Sequence, residues 1–167
     1  MASQTEKNVF IVGLRNAHAM EKQALELMER QSGRLDDFPQ VQQQVKAHAE
    51  ETRQQMQRLE QCLDALGEDR SALKDTAMSL LGNMAAMSHA VASDEILKNT
   101  FANYAFEHYE IAAYKSLIAL ANDLGLTNTI ALLKTSLDEE EKMADWVGKN
   151  IEPVTRMYIS WEERRAA

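Results

Sequence analysis

Glu21, Glu107 and Glu140 each stand where an apolar side chain is expected. An α-helix turns about 100° per residue, so Phe10, Leu14, Ala17, Leu25 and Met28 all fall within about 40° of Glu21. Glu140 interrupts the seam Ile130, Leu133, Leu137, Ala144, Val147 and Ile151. Glu107 shares a face with Tyr104, Ile111, Tyr114, Ile118 and Ala121, and Glu110 lies on its flank one turn on. In a fourth segment His48 is central to the stripe Val45, Thr52, Met56, Leu59, Leu63 and Leu66, with Glu51 on the flank and Glu50 turned nearly opposite. Burying an isolated carboxylate is costly unless it is paired, protonated or bound to a metal. Singly, each residue has a plainer reading: a lysine or arginine partner for Glu21, the acidic run Asp138 to Glu141 for Glu140, a hydrogen-bonded core imidazole for His48. Together, four apolar faces carrying metal-capable groups point to one shared centre for a pair of divalent cations. The candidate ligands are Glu21, His48, Glu51, Glu107, Glu110 and Glu140, with His18 and Glu50 left open and Tyr104 and Tyr114 as hydrogen-bonding neighbours. Oxygen donors with one imidazole favour iron, then manganese, over zinc.

The elements that must position these groups follow from the same periodicity. Helices are expected over about 6–31, 39–66, 94–124 and 128–150. Ser32-Gly33 ends the first, Pro39 opens the second, and Gly67 and Leu124-Gly125 mark the ends of the second and third. Ser93-Asp94-Glu95 and Thr127 or Asn128 offer caps, and Pro153 ends or bends the fourth helix, leaving a short C-terminal helix or tail. Residues 68–92, which include Met78, Met84 and Met87, form a long connection. Two hairpins joined by such a crossover give an all-α, ferritin-like four-helix bundle.

Composition agrees. The 167 residues suit a single domain over 1–167, and only six glycines and two prolines disfavour an all-β fold. A formal charge of −8 argues against nucleic acid as a partner, and no apolar run is long enough to cross a membrane. A single cysteine, Cys62, and an N-terminus without an apolar leader lead us to expect a cytoplasmic protein.

Four fragments in order carry a resemblance to a known family: Ala17 to Gln23, His48-x-x-Glu51-Thr52-x-x-Gln55, Phe106-Glu107-x-x-Glu110-Ile111-Ala112, and Leu137-x-Glu139-Glu140-x-x-Met143-Ala144-Asp145-Trp146. Over nearly its whole length the chain resembles the YciE/YciF-type bacterial stress proteins of the ferritin-like superfamily, nearest the YciE branch. The resemblance implies a cytoplasmic homodimer associated with stress responses and a di-metal site whose chemistry is not established. Two departures matter. Asn16 replaces the usual Asp of the first motif, on the face turned away from Glu21. The Glu-x-x-His spacing of ferritin-like sites is missing, since Met143 follows Glu140 where a histidine is expected. Three functional classes therefore stand side by side: a metal-binding stress protein, a metal-free scaffold, and a peroxide-consuming or ferroxidase-type enzyme.

Overall fold

The computed structural model describes residues 3–68 and 94–167. The expected crossover, with its three methionines, lies outside the described residues. Among the described residues there are four helices: α1 (Gln4–Ser32), α2 (Pro39–Ala65), α3 (Glu95–Asp123) and α4 (Thr127–Ala166).

α1 begins with a capping box, in which the Ser3 hydroxyl accepts from the Glu6 amide and the Glu6 carboxylate accepts from the Ser3 amide. Ser3→Ala is expected to lower stability by about 1 kcal/mol, read from the midpoint of urea unfolding. Pro39 occupies the first turn of α2 as expected. Gly67 and Gly125 adopt φ of 74° and 69°. Each closes a Schellman motif, with Glu68 N–H donating to Leu63 and Leu126 N–H to Ala121.

Ser93, the expected cap of α3, lies outside the described residues, and the Asp94 carboxylate pairs with Lys98 at 2.8 Å without capping the helix. Two local expectations are corrected. Leu126 precedes α4, and neither Thr127 nor Asn128 caps it. α4 also runs unbroken through Pro153, so there is no separate C-terminal helix. Proline removes one backbone donor and crowds the preceding turn. Packing beyond it sustains the helix: Val154 is fully buried, and Met157, Tyr158 and Trp161 lie against the core. Trp161 meets Phe38 with ring centroids 5.8 Å apart.

Contacts between helices set their directions. Arg53 of α2 meets Glu29 of α1, and His18 of α1 meets Glu60 of α2, so this hairpin is antiparallel. Gln31 and Asn103 exchange amide hydrogen bonds while Tyr114 reaches Glu21, so α3 runs opposite to α1. α4 opposes α3 through Lys115 and Glu141, and opposes α2 through Arg58 and Glu139. α2 and α3 are therefore parallel. Glu68, just past α2, touches Arg15 within the N-terminal half of α1, whereas Glu95, at the start of α3, touches Arg34 beyond the C-terminal end of α1, roughly 25 Å away at 1.5 Å per residue. Parallel α2 and α3 are the arrangement of a ferritin-like topology.

The core lies along the bundle axis, with Phe10, Leu14, Leu59, Leu63 and Leu133 fully buried. Gly13 permits a close approach of α1 to α3, since a Cβ there would stand 2.8 Å from a Leu117 methyl carbon. Among the described residues no helix is long and apolar enough to cross a membrane. Cys62 is buried and unpaired by any disulfide, its thiol pushed up to about 11 by burial.

Candidate metal centre

The apolar stripes converge at mid-bundle and bring their polar interruptions with them. Glu21, His48, Glu107, Glu110 and Glu140 are all buried, four of them with no more than 1% of their surface exposed. One ligand atom from each of His48, Glu107, Glu110 and Glu140 lies within 4.8 Å of the other three. His48 Nε2 stands 3.3 Å from Glu107 Oε2 and 3.4 Å from Glu140 Oε2. On the other side of the ring, Nδ1 is 2.9 Å from Glu51 Oε2. Glu51 is 42% exposed and holds the ring from outside while Nε2 faces the centre. Glu21 stands next to this group, with Oε1 accepting a 2.6 Å hydrogen bond from the Tyr114 hydroxyl.

Five buried oxygens here have no hydrogen-bond partner: Glu21 Oε2, Glu107 Oε2, Glu110 Oε1 and both oxygens of Glu140. His48 is close enough to Glu107 and Glu140 for charge attraction, but neither contact is an aligned hydrogen bond. Unpartnered oxygens of this kind are rare in folded proteins.

Electrostatics reflect the crowding. Burial and the Glu140 charge raise the Glu21 carboxyl well above the usual range. Burial, Glu140 and Glu21 do the same to Glu110. Burial pushes Glu107 up to about 8 despite the opposing pull of His48. Burial disfavours the His48 imidazolium, yet Glu107, Glu140 and Glu51 outweigh it and raise His48 well above its ordinary value. Glu140 is held below the carboxylate range, because His48 overcomes the effect of burial.

Other candidates sort cleanly. Glu50 is exposed and pairs with Arg53 at 3.0 Å, and His18 pairs with Glu60 at 3.2 Å, away from the cluster. Tyr104 is corrected: it is 36% exposed and meets His108 edge-on, with centroids 4.6 Å apart. The buried face of α3 includes Phe106, Glu110 and Leu117, which shifts its centre away from Tyr104. Met143 fills the place of the missing histidine, is buried, and its sulfur accepts from Gln44 at 3.5 Å.

Sequence reasoning missed the polar layer outside the acids. Arg58 grips both Glu139 oxygens at 2.7 Å and donates to the Ser136 hydroxyl at 2.9 Å. The fully buried Gln55 donates to Glu139 at 3.1 Å. Gln55 was legible, being two turns from His48 on the same helical face. Glu139 stood in an acidic run and in the fourth fragment, and neither marked it as a partner of Arg58.

The pattern of the family described as "Domain of unknown function (DUF892)" matches residues 5–160. The chain belongs to this family. A curated DUF892 relative is Protein YciF of Escherichia coli K12, 30% identical over 166 residues, covering 90% of this chain and 95% of YciF. Among solved structures, a Xanthomonas campestris protein superimposes with a TM-score of 0.77 at 27% identity, covering 95% of this chain and 99% of that one. The E. coli stress protein YciF gives 0.73 at 25% identity, covering 92% and 99%. YcfI of Rhodopseudomonas palustris, whose name provisionally describes a structural protein, gives 0.70 at 27%, covering 87% and 94%. The DUF892 chain therefore shares the helical architecture of these proteins over nearly its full length.

Proposed function

We propose that this chain is a di-metal carboxylate protein of the YciF-like stress family, holding iron, or alternatively manganese, at the mid-bundle cluster. The observation that carries the reading is the set of five buried, unpartnered carboxylate oxygens gathered around one imidazole. Divalent cations satisfy such oxygens and offset the burial and mutual repulsion that drive Glu21 and Glu110 upward. His48, Glu107, Glu110 and Glu140 would hold one ion, with Glu21 reaching toward a second. Glu51 would act through the His48 ring. Oxygen-rich donors with a single imidazole suit iron and manganese, whose chemistry when bound is redox and Lewis-acid chemistry. The chain's own contribution is a dry, rigid cage that fixes donor number and the orientation of the ring. Placement in the YciE branch rests on the four motifs alone. A homodimer is part of the proposal, supported by the exposed Phe101, Tyr104 and Tyr109 along α3.

One observation favours a metal-free scaffold instead. With His48 charged, Glu140 ionised and the raised acids holding protons, the cluster approaches neutrality without any cation. Elemental analysis after purification without chelator separates the two readings. About two iron or manganese atoms per chain are expected in the wild type, and none in a Glu21→Ala, Glu140→Ala double variant that remains helical. A metal-free wild type that gains no thermal stability from Fe(II) or Mn(II) would leave the scaffold reading standing.

A further inference from the structure

The hydrogen bonds outside the cluster have a direction, and Arg58 sets it. A guanidinium donates and never accepts. Arg58 Nη1 donates to Ser136 Oγ at 2.9 Å, while both terminal nitrogens are anchored on Glu139 at 2.7 Å. Arg58 and Glu139 are only 12% and 14% exposed, so the fork is held within the bundle wall. The Ser136 hydroxyl in turn lies near enough to the Tyr114 oxygen to bear on the phenol. The Tyr114 proton is then directed onto Glu21 Oε1 at 2.6 Å. Ser136, Tyr114 and Glu21 are all buried, which leaves water little access to reverse the sequence. Along this line the two hydrogen bonds, Arg58 to Ser136 and Tyr114 to Glu21, both donate toward the cluster.

The line ends on one oxygen of one carboxylate. Glu21 Oε1 is taken, and Oε2 is the buried oxygen without a partner. The four close-set donors His48, Glu107, Glu110 and Glu140 do not include Glu21 and do not depend on this line.

We propose that Tyr114, braced by Ser136 and Arg58, is a positioning residue that fixes Glu21 as a one-oxygen ligand for the second of two metal ions. The proposal rests on the di-metal reading and adds an asymmetry to it. The ion nearer His48 binds independently of Tyr114, and the ion nearer Glu21 depends on it.

The test is a Mn(II) titration of metal-free full-length protein, followed by calorimetry and electron paramagnetic resonance, in the wild type, Tyr114→Phe and Ser136→Ala. The wild type is expected to take up two equivalents and to show the broadened signal of a coupled pair. Tyr114→Phe should retain the first equivalent within about twofold and bind the second about 10- to 100-fold more weakly. At one added equivalent it should show the resolved hyperfine pattern of an isolated ion. Ser136→Ala should shift the second equivalent in the same direction by less, and it carries the comparison if Tyr114→Phe fails to fold. Equal weakening of both equivalents, or of neither, would assign Tyr114 a packing role and overturn the asymmetry while leaving the metal site intact. A wild type that binds one equivalent overturns the proposal together with the two-ion reading but leaves a single-ion site, and one that binds none removes the metal site altogether.

Discussion

Metal-free protein is expected to lose stability as pH rises from about 5 to 8, and to recover most of it when Mn(II) or Fe(II) is added at pH 8. The sign follows from the buried acids. Glu21, Glu107 and Glu110 have folded-state values above the 4.5 of an unperturbed glutamate, so their contribution is fully present below 4.5. Above that pH the unfolded chain releases protons that the folded chain keeps, and the contribution declines. For Glu107 it is exhausted at about 8, while Glu21 and Glu110 extend the decline further. His48 is raised as well and acts in the same direction above its ordinary 6.5. Glu140 is lowered, so its contribution is lost only as pH falls below 4.5, outside this window. Each retained proton corresponds to about 1.4 kcal/mol per pH unit, enough for a clear trend in melting temperature.

Metal reverses the trend because it replaces those protons. Free metal at about 100 times its dissociation constant stabilises by about 2.7 kcal/mol, or roughly 5–10 °C for a chain of this size. The gain should be markedly smaller at pH 6 than at pH 8. Differential scanning fluorimetry at the two pH values reads both effects. A shift of equal size at both would mean that the ions bind elsewhere.

Glu110→Gln is expected to stabilise the metal-free protein at pH 8 and to abolish that metal-induced gain. Glu110 is 1% exposed, and burial with the charges of Glu140, Glu21 and Glu107 opposes its ionised form. Glutamine keeps the shape, cannot ionise and supplies a donor amide for the unpartnered oxygens of its neighbours. Satisfying a buried polar group that lacks a partner is worth about 1–3 kcal/mol. Urea unfolding should give a higher midpoint with an unchanged slope. A lower midpoint would show that the Glu110 carboxylate is already compensated without metal, which favours the scaffold reading. Stability gained together with binding lost marks a site maintained for function.

The sequence revealed much of this because buried acids contradict their surroundings. Glu21 among Phe10, Leu14 and Met28, and Glu140 among Leu133, Ala144 and Val147, were visible as breaks in apolar periodicity, and both are fully buried. Helix ends were legible at Gly67 and Gly125, where the chain needs positive φ. Periodicity says nothing about tertiary compensation, so Pro153 read as an end although Val154 and Trp161 hold α4 together beyond it. Helix rotation was equally hidden. An uncertainty of about 30° turned Tyr104 inward on paper, whereas it is 36% exposed. Arg58 and Glu139 form a pair 81 residues apart in sequence, which no local pattern encodes.

The parallel course of α2 and α3 also bears on how the molecule is made. Glu21 and His48 belong to the first hairpin, whereas Glu107, Glu110 and Glu140 belong to the second. During synthesis the first hairpin emerges well before its counterpart, and neither half alone assembles the cluster. The acids meet only when the hairpins dock, so their repulsion opposes a late step of assembly rather than helix formation. A cation captured at that stage would act as a clasp between the two halves. Its influence should then fall mainly on the rate at which the finished bundle opens, and less on the rate at which it forms.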